Sequence, residues 1–455
     1  MTLLLALAVL TLLLLLGTAA GKAMGMTRWG VPEALLAGAL GLLIAPGGPL
    51  PLLPEGVMRV WGELPLVLLT LVFGSLLLGK PLPQIGALWR PVASQLLLAL
   101  TLAFGQFMVG GLAVLLVLGP LVGAPPVMAA LIEVAYEGGH GSAAAMGPSY
   151  ARLGLESGEA LGLAMATVGL LTATLVGGLV VLLGRRRRWL LAASLPIAQE
   201  PSTPVPRPDS DADSPATPRQ QRLALSLRVW LPNLALTGMA VLIGVLLLSG
   251  LQWLSARLGG GFALVIDGLP VFPLALLGSL LVRLALEKSD RAHWVAPAVQ
   301  GRVGTLAADL LITAATACLD LALLGQQWLP LTVLAVAGLA WNLGVVLLLA
   351  PRILPPNWFE RGLVEFGQAT GVAASGLLLL NMVDPTDQGD ALTPFSIKQL
   401  LLQPFIAGGI ITVIAPLAIS GWGLPVWTGF CLGLVVLWVG LGLWLGRSHP
   451  EAQQP

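Results

Sequence analysis

The sequence predicts an all-α polytopic membrane protein. Three observations carry that reading: apolar residues make up 56% of the 455, charged ones only 10%, and the mean hydropathy is +0.90. No ordinary water-soluble domain approaches this balance. About eleven stretches are long enough to cross a hydrocarbon layer of roughly 30 Å. Two further apolar stretches, at about 125–150 and 357–382, are interrupted by glycine. Broken backbone survives at membrane depth only when buried in protein or lining a wet cavity. A formal charge of +1 leaves no basic surplus for nucleic acid and no acidic surplus for a solvating tail. Cys318 and Cys431 lie far apart inside apolar runs, as buried inert thiols do. The 56 glycines and 35 prolines suit closely packed and interrupted helices.

The first span is expected from Thr2, with an apolar run from Leu3 to Leu16. No positive charge precedes that run, whereas Lys22 and Arg28 follow it, the order of an anchor whose N-terminus lies outside; cleavage after Ala20 is the alternative. Further spans begin near Pro32, Leu64, Ser94 and Gly158, and the first interrupted stretch falls between the last two. Residues 1–184 thus form a first half. Residues 185–222 open with Arg185, Arg186, Arg187 and Arg188 and run on through seven prolines mixed with Ser, Asp and Gln. That composition cannot bury enough apolar surface to fold, so the segment reads as a disordered linker, placed in the cytoplasm by its arginines. In the second half, 223–421, spans begin near Val229, Phe262, Trp294, Leu331 and Phe395, with the other interrupted stretch between the last two. Residues 422–455 add one more helix, from Leu424, and a short tail that ends in the cytoplasm.

Charge tests this layout. Lys22, Arg28, Lys80 and Arg90 fall inside and Glu55, Arg59 and Glu63 outside, provided the stretch around Gly138 dips in and returns on its own side. In the second half Arg283, Lys288, Arg291, Arg352, Arg361 and Arg447 all fall inside. Five spans before a cytoplasmic linker make the halves inverted in the membrane. Both carry a proline-bearing second span, at Val31-Pro32-Glu33 and Leu269-Pro270-Val271, and both carry a broken segment. Inverted repeats with matching broken segments point to the midplane site of a secondary transporter.

The first broken segment reads Ile132-Glu133-Val134-Ala135-Tyr136-Glu137-Gly138-Gly139-His140-Gly141-Ser142. With Pro32-Glu33 and Gly38 in the second span, Ala166-Thr167-Val168-Gly169 after the segment, and looser matches at Leu269-Pro270-Val271-Phe272 and from Gly367 to Met382, it resembles the bacterial sodium/glutamate symporter family. The resemblance extends over most of residues 1–421. It implies two inverted five-helix repeats, each with a re-entrant hairpin, in a homodimer that moves a transport core against a scaffold. Implied too are sodium-coupled uptake of glutamate and a bacterial inner-membrane location, without a further cofactor. The chain departs from the family at Gln368, where a histidine tends to recur, at Glu137, where a small polar residue is usual, and in its last helix.

The residues themselves suit that chemistry. Gly138, Gly139 and Gly141 permit positive φ and close approach of a ligand. At a hairpin tip, N–H groups favour a carboxylate and freed carbonyls coordinate a desolvated cation. Gly367, Gln368, Thr370 and Gly371 make the second tip, with Ser142 completing the first. An ionisable group at this depth costs roughly 2.5 kcal/mol or more, so Glu133, Glu137, His140, Arg302 and Asp309 each need a reason. Glu137 pairs a substrate ammonium or a sodium ion, and His140 serves a substrate carboxylate or carries a proton; alternatively these two satisfy each other, and Glu133 sits at the interface. Ser375, Asn381 and Asp309 offer oxygen ligands for sodium, against ordinary interhelical bonds or an Arg302–Asp309 pair. A seam of small residues is the plain alternative for the glycines.

Glu133, Glu137 and His140 also have the helical spacing of a metal site, but zinc would want more than one histidine, and His293 and His449 lie near membrane ends. With no His-Glu-x-x-His run and no phosphate-binding glycine loop, an enzyme is not expected. A channel, or a sodium- or proton-coupled carrier of another small anion such as bicarbonate, is the stronger rival.

Overall fold

The computed structural model describes residues 2–25, 32–79, 89–190, 227–259, 266, 269–354, 357–385 and 387–447. Arg28, Val31, Lys80 and the linker beyond Leu190 lie outside them. Every regular element among the described residues is helical. Seven helices among the described residues are long and apolar enough to cross a membrane. Of the other expected spans, the one from Pro32 gives a helix of only 12 residues, which ends at the Pro46-Gly47-Gly48 turn. The one near Phe262 is a 17-residue helix starting at Phe272, where Pro273 sits in the first turn. The one from Phe395 is not a single helix. Pro404 lacks an N–H and crowds the preceding turn, and Ala407 and Gly408 adopt φ of 57° and 91°, so the chain breaks between Gln403 and Gly409.

The chain divides into two compact units that each draw on both halves of the sequence. The first holds α1 (Thr2–Ala23), α2 (Glu33–Ile44) and α3 (Glu55–Leu76) with α8 (Leu227–Leu258), α9 (Phe272–Lys288) and α10 (Pro297–Ala317). Trp61 anchors part of its core among Ala6, Leu10 and Val57, and its Nε1 donates to the Ala6 carbonyl at 3.0 Å. Small residues let backbones close in: Gly17 meets Ala37, Gly38 meets Thr316 and Gly278 meets Ala240. Lipid supplies no hydrophobic drive between helices, so such close packing is what holds them together.

The second unit holds α4 (Trp89–Ala113), α5 (Leu131–Tyr136), α6 (Gly139–Arg152) and α7 (Gly158–Arg187) from the first half. From the second half come α11 (Trp328–Gly344), α12 (Trp358–Thr370), α13 (Ala373–Val383), α14 (Leu392–Leu402), α15 (Ile410–Trp422) and α16 (Leu424–Arg447). The same sequence of parts recurs in it. Helix α4 runs on through a wide π turn, Val114–Leu118, into Gly119–Val122, and α11 does so through Val345–Leu349 into Ala350–Ile353. Pro120 and Pro351 explain both: each lacks an N–H and crowds the carbonyl four residues back. The turn before each widens, so that Gly119 N–H reaches the Val114 carbonyl and Ala350 N–H the Val345 carbonyl.

A helical hairpin follows each of these. In the first, a 3₁₀ turn at Pro126–Ala130 leads into α5, the chain breaks at Glu137 and Gly138, and α6 returns. Neighbours along α7 fix the directions. On α6, Tyr150 meets Gly158, Ala143 meets Gly162 and His140 meets Thr167, so α6 is antiparallel to α7. On α5, Leu131 meets Gly162 and Tyr136 meets Gly169, so α5 runs with it. The second hairpin is laid the other way. Phe359 meets Gly184 and Thr370 meets Gly169, making α12 antiparallel to α7, and Leu379 of α13 meets Gly177 on the way back. One hairpin enters from the Gly158 end of α7 and the other from the Arg185 end. Both stop near Gly169, about 16 Å into α7 at 1.5 Å per residue.

Candidate functional site

The two tips meet. A Cβ built on Gly139 would lie 3.1 Å from Val372 Cγ1, and one on Gly169 would lie 2.3 Å from the Thr370 carbonyl and 2.8 Å from the Tyr136 ring. Of the three glycines expected to turn the first tip, only Gly139 uses positive φ, at 69°. Gly138 keeps helical angles and is needed for space, because a side chain there would strike the Val134 carbonyl and Ser142. Gly141 lies inside α6. At the second tip the chain turns at Gly371, with φ −126° and ψ −100°, and is extended at Val372, while Gly367 lets the hairpin arms touch: a Cβ there would sit 2.4 Å from the Gly376 Cα.

Oxygen dominates what the tips present. Gln368 hydrogen-bonds Glu137 from one tip to the other. That leaves Glu137 Oε2 and Gln368 Oε1 buried without partners. Ser142 Oγ lies against Gly138 and Ser375 Oγ against Gly371, one hydroxyl behind each tip, and both are likewise buried and unpartnered. Buried polar atoms without partners are rare, and a cluster of them marks a place where a ligand completes the bonding.

His140 does not pair with Glu137. Its Nε2 lies 3.0 Å from Thr167 Oγ1, whose own proton goes to the Leu163 carbonyl at 3.0 Å, so the imidazole donates through Nε2. Thr370 accepts from Asn342 Nδ2 at 3.0 Å, and Gln106 and Asn342 amides both cap the Ala369 carbonyl, at 2.6 and 2.9 Å. The Ala369 carbonyl, one of those freed at the end of α12, is thus already taken. Asn381 lies toward the base of its hairpin, where Arg185 donates to the next carbonyl, that of Met382, and away from the tip. Asp309 belongs to the other compact unit, where Glu33 is the neighbouring charge.

Further buried groups stand behind the tips, and of these Glu365, Lys398 and Gln95 were not picked out in the sequence. Glu133 is buried rather than interfacial: its Oε1 accepts from Thr412 Oγ1 at 2.8 Å and from Ala407 N–H at 3.2 Å, in the break between α14 and α15. At the corresponding place in the second hairpin stands Glu365, reached by Lys398 Nζ at 2.9 Å and Gln95 Nε2 at 2.7 Å. Arg361 Nε donates to Gln95 Oε1 at 2.7 Å, and its Nη2 to the Pro91 carbonyl at 2.5 Å.

Comparison with known proteins decides the family, because the model for sodium/glutamate symporters matches residues 1–350. This chain belongs to the sodium/glutamate symporter family. It is an integral membrane protein and a secondary active transporter, not an enzyme. No curated protein matches the symporter's sequence. Among solved structures it is similar to the sodium proton antiporter MjNhaP1 of Methanocaldococcus jannaschii, with 17% identity over 100% of both chains. The TM-score of that match is 0.36, too low for any property to be carried over.

Proposed function

We propose that the chain takes up glutamate, or a closely related small anion, together with sodium by alternating access, and that the cargo sits between the two tips. The observation that carries this is the set of unpartnered buried oxygens on Glu137, Gln368, Ser142 and Ser375 where two oppositely laid hairpins meet. A carboxylate, an amide oxygen and two hydroxyls suit a substrate ammonium and a hard monovalent cation. Gly138, Gly139, Gly141, Gly367 and Gly371 bring main chain close to that cargo, and His140 and Thr370 stand at its edge. Ser375 is the sodium ligand of the set. Asn381 is left out of it for its distance along α13, and Asp309 belongs to the other compact unit.

In this reading the hairpins are re-entrant and the halves are inverted repeats of a bacterial inner-membrane protein. Its N-terminus is outside, and the arginine-rich end of α7 and the C-terminus face the cytoplasm. The unit with both hairpins is the transport core, the other is the scaffold, and the working form is a homodimer.

Labelled-glutamate uptake into proteoliposomes, with and without an inward sodium gradient, tests the function. Uptake should need the gradient and saturate. Glu137→Gln should reduce it about tenfold or more, the weight of one charge-assisted contact, and His140→Ala should weaken it as well. Absence of sodium-stimulated uptake removes the cargo assignment, and full uptake by both variants removes the site.

A further inference from the structure

The Glu137 carboxylate is influenced by three other buried charges: the Lys398 ammonium and the Glu365 and Glu133 carboxylates. Lys398 is 1% exposed on α14 and reaches both oxygens of Glu365 at 2.9 Å. Its Nζ also lies 4.5 Å from the centroid of the Phe395 ring and donates to Gln399 Oε1 at 3.3 Å. From there side chains continue across the break. Gln399 donates to Gln403 at 2.5 Å, Gln403 to the Ala407 carbonyl at 3.0 Å, and the Ala407 N–H is held by Glu133. The chain therefore joins the buried carboxylate of one hairpin to that of the other.

A buried ion pair is by itself weak evidence of anything but local order, since apolar replacements are often neutral. Placement distinguishes this one. Three carboxyl groups lie about this one ammonium, and the other buried cation close to Glu365 is the Arg361 guanidinium, so losing Lys398 takes away Glu365's direct partner and leaves more of its charge to be met by protons or by cations that arrive with the cargo.

We propose that Lys398 is a resident cation of the transport site, one that supplies part of the positive charge Glu137, Glu365 and Glu133 require and so sets how tightly sodium binds. This rests on the sodium-coupled reading above. Lys398 touches no cargo in this account; it is a positioning and charge-setting residue.

The test is a sodium titration of the purified full-length protein, followed by its melting temperature in detergent with total ionic strength held constant by choline chloride. Three variants accompany the parent: Lys398→Met, Glu365→Gln and the two combined. Removing the ammonium should lower the sodium midpoint on the order of tenfold, and removing the Glu365 charge should raise it by a similar factor, within the usual span of coupled binding. The double variant, with the parent's net charge restored, should return close to the parent's midpoint. A merely structural pair would lower the melting temperature in both single variants and leave every midpoint where it was, which overturns the inference. Shifts of the same sign in both, or a double variant as displaced as either single one, overturn it too. Should Lys398→Met fail to fold with Glu365 left unpaired, the other two variants decide by the same criterion. A parent that melts alike with and without sodium defeats the sodium reading itself, and this inference with it.

Discussion

Ala407 is the most informative single residue in the broken helix. It holds φ of 57° without being glycine, a conformation that costs an L-residue roughly 1 kcal/mol or more. Both of its main-chain polar groups are gripped by side chains, the N–H by Glu133 and the carbonyl by Gln403. Ala407→Gly should therefore raise the melting temperature, by the equivalent of about 0.5–1 kcal/mol, because the strain is relieved while both grips stay. Glu133→Ala should lower it, since Thr412 and the Ala407 N–H lose their acceptor inside the protein at a cost of about 1–3 kcal/mol each way. A thermal melt of the two variants side by side checks both signs. Little of this was legible in the residues alone. Glu137 and His140 announce themselves as ionisable groups beside a glycine run, and the structure does bring them to a tip. Glu133 shows the same kind of signal, but its partners are one threonine hydroxyl and one main-chain N–H, 279 and 274 residues away, and no sequence pattern marks either among hundreds. Gln95, Gln106 and Asn342 carry no charge to draw notice on long apolar helices. Lys398 stands three residues after Phe395, where a span was expected to begin, and nothing in that stretch marks Glu365 as its partner.

At the scale of elements, α7 is the rail on which both hairpins lie, and its glycines decide how close they come. Gly162, Gly169, Gly177 and Gly184 each face a residue of one arm or another. Gly169→Ala should be the most damaging of such changes, because its new methyl would press on a carbonyl at 2.3 Å rather than on a flexible side-chain end. Overpacking of that kind costs about 1–3 kcal/mol, and a lower melting temperature together with lost uptake is expected, while Gly178→Ala, which meets nothing within 4 Å, should behave as the parent. The hairpins could be read in advance because glycine-broken stretches stand out between long apolar runs. The break after α14 could not, because its apolar run continues through Pro404 and Gly408 and hydropathy averages over both. The wide turns before Pro120 and Pro351 were equally hidden: a proline late in a spanning helix is common, and only the hydrogen bonds show that both helices answer it in the same way.

For the whole molecule, sequence order and spatial grouping part company. The halves are successive in the chain, yet each compact unit takes three or more helices from both, so no cut in the sequence separates one unit from the other. The last helix illustrates the point. It reads as an appendage, but α16 packs along α4, with Thr428 against Gly111 and Trp427 on Phe107 at 5.6 Å, and against the continuation of α11, where Gly446 is so close to the Arg352 carbonyl that no side chain would fit. Ending the chain before Leu424 should therefore cost the fold of the hairpin unit, seen as loss of a single symmetric peak in detergent gel filtration. An unchanged peak would return the helix to the status of an add-on. The meeting of both fingers on Gly169 has one more result. Whatever they clasp leans on a single post, so neither finger can loosen without slackening the other's hold. A passenger held there, as proposed above, would be gripped by the same atoms on the outward and the inward journey.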